Sequence, residues 1–575
     1  MSVQFRQNQD GDWPSLWLPT AVGPRIWLPE NRANLKHHSQ PYKVKHDLYA
    51  VSEDTGFLLR SSLAHVPIEE FLGLVSRVSL TRTTDSQSLS DFVRVQGWKP
   101  EVALRQYQLA LLVGLILEQY DKQTDRAWET TETLGKLRQL VVWSNMTSNI
   151  LAAADKPSPK DDYDDAAAAM VRLANQQFGD FEGARSLYTR AYFIFRECCK
   201  EGEQRLGTTL SAVLEGAIGL DLDKILFLPL GLFTMLSKSK GGWLIEPDIM
   251  THSEDFPAIT RSDVESLFDW LSIDYEGFRL AGQQVAGAEE GYEPYKFNPL
   301  VEHPIIRTPT GRYVVPIIHY LFRRVTVGLF YDLIRSKDAG RAGNILGHSL
   351  ELYVRRLIED LPQHGPLLPE QSYGEGETSC EWILQDAEAI VVIECKRISL
   401  RQRAKTTGDR AEVKRDLATE GGVADGVTQL AKTVDAIRQG RIKGVGPDRR
   451  ILPLLMTFDL FFLANTTFMR SIIEEILTER SVTMPAGFDY QICSIADFEE
   501  LCAMLGSSGG SVAAALISKV AGEYDVVRDR PTREWDLSSW VMRAQGSSGI
   551  VTLPTQEEVF HQGLDSIIGQ FHKQS

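Results

Sequence analysis

No stretch of this sequence is apolar over the roughly 20 residues that a membrane-spanning helix needs. The nearest, Ile225 to Leu236 (ILFLPLGLFTML), is short and holds Pro229 and Gly231, so it reads as a buried, kinked helix. The first residues, MSVQFRQNQDGDWP, lack the charged-then-apolar order of a secretory signal, and the expected location is cytoplasmic, with no membrane partner. Six cysteines in 575 residues are too few for a disulfide framework, and with no C-x-x-C pair they do not announce a zinc site. There is no G-x-x-x-x-G-K-[ST] phosphate loop, no G-x-S-x-G elbow and no H-E-x-x-H. An ATP-driven motor, a serine hydrolase and a zincin are thereby set aside. A surplus of positive charge is missing too: 61 basic against 77 acidic residues give a net charge of −16, which speaks against a surface built to coat nucleic acid.

Apolar residues make up 43% of the chain and charged ones 24%, as in soluble globular proteins. The length suggests about three or four domains. The fold class expected is multidomain α+β, divided into an irregular or mixed lobe (1–95), a helical domain (96–240), an α+β connecting region (241–335), an α/β domain with a mixed central sheet (336–525) and a tail with a terminal helix (526–575). Several local signals support these elements. Asp180 is placed to cap a helix over 181–199. Thr260 and Asp263 form a capping-box pattern, as do Thr555 and Glu558. Thr310-Gly311 reads as a turn between short strands, and the clusters at 506–511 and 546–549 read as flexible points. No internal repeat stands out.

The chemistry-bearing stretch is Cys380 to Lys396, CEWILQDAEAIVVIECK. An apolar, β-prone run ends abruptly in Glu394-Cys395-Lys396. Side chains alternate along a strand, so Glu394 and Lys396 share a side and Cys395, a buried filler, points opposite. A carboxylate offers hard oxygen ligands to Mg²⁺, and a lysine beside it can orient a water or stabilise developing charge, as phosphodiester hydrolysis needs. E-x-K alone is a weak signal, since about two copies arise by chance in a chain this long. The second copy, Glu412-Val413-Lys414, lies in a polar helical context and is read as a decoy. A metal needs another carboxylate, and Glu381 and Asp386 are the candidates. In an antiparallel hairpin turning at 385–388, Glu381 faces Glu394, whereas Asp386 sits at the tip, roughly 15 Å away at about 3.3 Å per residue. The geometry favours Glu381. Lys396, Arg397, Arg401, Arg403, Lys405, Arg410, Lys414 and Arg415 then form either a basic groove or a solvated charged helix.

This arrangement resembles the PD-(D/E)xK, or restriction-endonuclease-like, nuclease superfamily over residues 340–525. Gly347-His348-Ser349-Leu350-Glu351-Leu352-Tyr353-Val354 is similar to the family's helix with an inward acid, matching Glu351, with His348 near the helix start. Gln429 resembles a glutamine on the helix after the E-x-K strand. Arg450–Phe462 resembles the next core strand, and Tyr490–Leu505 the closing strand and helix. The resemblance implies a Mg²⁺- or Mn²⁺-dependent endonuclease acting on nucleic acid, DNA before RNA. Glu381, Glu394 and Glu351 would hold metal, Lys396 would position the nucleophile and Gln429 would order Lys396 or the substrate. The family's usual aspartate is Glu381 here, one methylene longer. The helical residues would sense or recruit, in a homo-oligomer or with a partner protein, as in an antiviral defence effector. The competing expectations are a non-catalytic scaffold on a degenerate nuclease fold and a repair or mobile-element nuclease.

Overall fold

A computed structural model describes residues 66–83, 106–118, 182–238, 244–250, 258–284, 297–521, 530–545 and 553–572, with a few isolated or short stretches besides, nearly all of them nearer the N-terminus. The fold is mixed α+β, with a mixed sheet in the C-terminal half. Among the described residues no single helix is long and apolar enough to cross a membrane. All six cysteines are buried free thiols.

The central sheet has five strands in simple chain order: β1 (Leu367–Pro369), β2 (Trp382–Gln385), β3 (Ile390–Lys396), β4 (Ile451–Thr457) and β5 (Gln491–Ser494). The first three form an antiparallel meander, with Trp382 opposite Ile393 and Gln385 opposite Ile390. β4 joins β3 in parallel, Ile390 opposite Ile451 through Lys396 opposite Thr457, and β5 joins β4 in parallel. Parallel neighbours require a crossover. Helix α1 (Ala339–Glu359) precedes the meander, α2 (Val423–Arg438) crosses from β3 to β4, α3 (Thr467–Glu479) crosses from β4 to β5, and α4 (Ile495–Ser508) follows β5. β3 and β4 are covered on both faces, which is why they read as near-continuous apolar runs rather than alternating ones.

Alternation sorts the two faces. Trp382, Leu384, Val391, Ile393, Cys395, Leu454 and Met456 belong to the core that holds α1, α4, the helices between Leu187 and Leu333 and the C-terminal Phe560, Ile567 and Phe571. Ile383, Ile390, Val392, Leu455 and Ile492 belong to the core under α2 and α3. The first core draws its described members from Leu187 through Phe571. At its centre Arg190 donates to Glu499 (2.8 and 2.6 Å) and Glu182 (2.7 Å), and Tyr353 of α1 donates to Glu499 (2.8 Å). A third core joins Phe71, Leu112 and Val113 to Ile306 and Val314 of a small sheet formed by Ser272–Asp274, Ile305–Arg307 and Tyr313–Val314.

Several local expectations meet their structural counterparts here. The Thr260–Asp263 capping box forms with both bonds present, and Gly311 turns between two strands at φ +80°. Pro229 lies buried inside the helix Leu222–Lys238. Other expectations change. Asp180 lies outside the described residues, and the helix expected after it starts at Ala184 behind Gly183, which offers no side chain to cap it. His348 sits mid-helix, because α1 begins nine residues earlier. Thr555 is already inside the terminal helix, which starts at Pro554, and its hydroxyl turns to Asp360 instead of closing a box with Glu558. The glycines at 506–511 form a helix end and a tight turn: Gly509 ends α4 in the left-handed conformation and Val512 opens helix α5 (Val512–Ala521). The cluster at 546–549 lies outside the described residues.

Candidate active site

β3 delivers Glu394 and Lys396 to the face shared by Ile390 and Val392, beneath α2, while Cys395 joins the opposite core. Glu381 immediately precedes β2. The pairing Trp382–Ile393 sets it across from Glu394, and its spacing from Ile383 gives it the same face. Glu394 is buried, with 2% of its side chain exposed. Its Oε1 holds the Lys396 ammonium, and its Oε2 is buried without an ordinary hydrogen-bond donor. The Glu381 carboxyl accepts the Cys395 backbone N–H at 2.9 Å and lies within hydrogen-bonding reach of Glu394. That second bond requires a proton on one of the two acids. Burial first, and the Glu394 charge second, hold Glu381 well above the usual carboxylate range. At Lys396 burial works to discharge the amine, but the Glu394 and Glu381 charges outweigh it and raise the group above the ordinary lysine value.

Asp386, the other candidate acid, is a structural residue at the hairpin tip. It accepts from Ala387 N at 2.9 Å and from Ala513 N at 3.1 Å, tying the turn to the start of α5. Gln429 does not reach Lys396. Its amide donates to the Thr378 carbonyl, and one turn further along α2 Thr433 Oγ1 accepts the Cys380 N–H at 3.0 Å. Together they fix the strand entry that positions Glu381. Gly426 completes this face of α2: a Cβ there would fall 2.6 Å from Leu455 Cδ1 and 3.2 Å from Lys396 Cγ. Gly426 and Thr433 went unnoticed in the sequence. Their spacing from Gln429, three residues back and four forward, was the signal that could have found them.

Glu351 comes from the other side. Its helix, α1, packs on the Cys395 face, where Trp382 Nε1 donates to the Glu351 carbonyl at 2.9 Å. Its side chain meets His348 Nδ1 at 3.3 Å, and burial, partly offset by that contact, raises its pKa. The structure thus brings Glu381, Glu394 and Lys396 into contact, while Glu351, whose pKa the Glu394 charge also helps to raise, makes its side-chain contact with His348 instead. Among the described residues no group of three or more His, Cys, Asp or Glu is placed to hold a metal.

The decoy and the basic stretch both resolve into ion pairs. Lys414 binds Glu475 and Glu479 (2.6 Å each), and Glu412 binds Arg403 (3.1 Å) and Arg415 (2.9 Å). Arg401 pairs with Asp416, Arg410 with Glu475 at 3.0 Å, and Lys405 is buried on Asp459 at 2.7 Å. The basic-groove alternative is therefore not what forms: carboxylates within the run and from two distant segments neutralise most of it.

The chain matches no family model, no curated protein and no solved structure.

A divalent cation suits the donor set. Two buried carboxyl groups within hydrogen-bonding reach of each other, one with an oxygen left without a donor, offer hard ligands at one point. Two are enough for Mg²⁺, which usually takes one or two protein carboxylates and keeps water or phosphate elsewhere in its shell.

Proposed function

We propose that residues 336–525 form a metal-dependent nuclease of the PD-(D/E)xK kind, hydrolysing phosphodiester bonds in nucleic acid, DNA before RNA. The observation that carries this reading is the meeting of buried Glu381 and Glu394 with Lys396 on one face at the end of β3. A helix, an antiparallel meander and a crossover to a parallel strand, in that order, support it. Glu381 and Glu394 would hold Mg²⁺ or Mn²⁺, which when bound supplies Lewis acidity to the phosphate and acidifies a bound water. Lys396 stays protonated beside its two acids, so it orients the attacking water and neutralises charge on the phosphate instead of serving as a base. Gln429 and Thr433 act through Glu381, as positioning residues. Glu351 is assigned no ligand role.

The test is cleavage of supercoiled plasmid, linear duplex, single-stranded DNA and RNA with Mg²⁺ or Mn²⁺. Glu394→Ala and Lys396→Ala are each expected to cut the rate by roughly a hundredfold or more. Equal cleavage by the wild type and both variants would refute the assignment. If the wild type does not cut, the assay is repeated with phage-infected lysate to test for gating.

A second reading, a non-catalytic binding protein on the same fold, is favoured by one observation: only two acids converge where three were expected. A metal-dependent rise in stability without cleavage in any of these conditions would select it.

A further inference from the structure

Between the helical region and the chain that leaves β3 lies a cavity of about 840 Å³. Glu351, Glu381, Glu394 and Lys396 are absent from its walls, so it is separate from the acid–lysine site. Its volume is in the range of small-molecule sites and admits no duplex.

Three features of the lining point the same way. The first is charge. In a chain of net charge −16, the described wall residues include six arginines and lysines against four acids. Three of those acids have a cation of their own: Asp332 with Arg324 (2.5 Å), Asp459 with Lys405 (2.7 Å) and Glu302 with Arg335 (3.4 Å). Arg397 lies over the backbone of Gly343 and Gly347, and Arg401, at the wall, pairs with Asp416, which is not itself a wall residue. The second feature is aromatic surface, from Trp270, Tyr320, Phe330, Tyr331 and Phe462 among others, with the Arg324 guanidinium 4.6 Å from the Trp270 ring centre. The third is a pair of buried polar atoms, Trp270 Nε1 and His303 Nδ1, that have no hydrogen-bond partner. His303 bonds to the Trp270 backbone, and burial holds its pKa below the ordinary value, so the ring is neutral and Nδ1 is an acceptor. One donor and one acceptor thus stand unused in two wall residues, covered from water, and a ligand would meet them once those side chains turn toward it.

We propose that this cavity binds a nucleotide: a planar base stacked on the aromatic wall, its polar edge on Trp270 Nε1 and His303 Nδ1, its phosphates on the Arg335 and Arg401 guanidinium groups. Arginine forks match phosphate oxygens bidentately, and a base supplies the paired acceptor and donor that the two unused atoms call for. This inference goes beyond the nuclease reading and does not rest on it.

The test uses the full chain in EDTA, so that metal at the acid pair plays no part, with ATP, GTP, CTP and UTP titrated calorimetrically. At least one is expected to bind saturably, and inorganic triphosphate about tenfold or more weaker. Arg335→Ala and Arg401→Ala should each weaken binding by about tenfold or more, and Glu412→Gln, outside both the cavity wall and the acid pair, should leave it unchanged. Arg335 is two-thirds exposed, so its variant keeps the test valid if loss of the Arg401–Asp416 pair disturbs folding. No saturation by any of the four at millimolar concentration would overturn the proposal. So would affinity unaffected by Arg335→Ala, or triphosphate binding as tightly as the best nucleotide.

Discussion

If Glu381 and Glu394 are metal ligands, adding metal should raise the melting temperature of the chain, and by an amount that depends on pH in one direction only. A ligand that binds the folded state alone stabilises it by RT ln(1 + [L]/Kd), about 2.7 kcal/mol at a hundred times Kd. For a unit the size of residues 336–525, each kcal/mol moves Tm by about 2–4 °C, so the expected rise is roughly 5–10 °C. The pH dependence follows from the acid pair. Burial and the neighbouring Glu394 hold the Glu381 carboxyl above its unfolded value of 4.5. Without metal, the stability linked to this group is full below that value and is lost as pH rises through the folded one. Metal competes with the same proton, so its effect should be small near pH 5 and grow toward pH 8. The assay is thermal unfolding of EDTA-stripped protein with and without Mn²⁺ across that range. Glu394→Gln should abolish the shift, and Glu412→Gln, in the other E-x-K, should leave it intact. A shift that survives Glu394→Gln, or shrinks as pH rises, would refute the assignment of the pair as a metal site.

Three further outcomes are expected. Gly426→Ala places a methyl against Leu455 and the Lys396 stem, so it should cost about 1–3 kcal/mol in urea unfolding and lower cleavage while keeping the metal-induced Tm shift. Arg190→Met strands Glu182 and Glu499 in the core, all three side chains being under a tenth exposed, and should cost about 3–5 kcal/mol by the same measurement. Glu500 is pushed up to about 8, chiefly by burial and then by Asp497, Glu182 and Glu499. Its raised folded value means stability lost as pH climbs from 4.5 to about 8, so the Tm advantage of Glu500→Gln over wild type should open across that window and level off above it.

How much of the site is readable in the sequence depends on how far apart its partners are. The hairpin was readable, because the turn between its two apolar runs fixes the register and side chains point alternately to the two faces of a strand, and with them follows the approach of Glu381 to Glu394. The basic run after β3 was misleading for the converse reason. Three of its neutralising acids, Asp459, Glu475 and Glu479, lie 54 to 65 residues further on, in a strand end and a helix whose placement the local pattern does not encode. Glu351 shows a third limit. Its position on α1 follows from helical spacing, but which face of the sheet α1 covers is decided by Leu350, Tyr353, Val354 and Leu357 packing with Val391 and Ile393, and that is a tertiary choice.

The same alternation bears on how the helical residues could influence the acid pair. Lys396 faces α2 and the carboxylates. Arg397, the next residue, has the opposite face, lies over α1 at Gly343 and Gly347, and forms part of the cavity wall. The strand backbone between them is held on β4 by the ladder and, beyond its end, by bonds from Phe458 N to Lys396 O and Asp459 N to Ile398 O. A displacement of α1, or of a ligand bound on the cavity side, would reach the lysine through a single peptide unit. The covalent chain is the shortest mechanical link between the two faces of this sheet. Coupling between them would need no contact from Glu351 to the acids, only a change in where the Arg397 guanidinium rests.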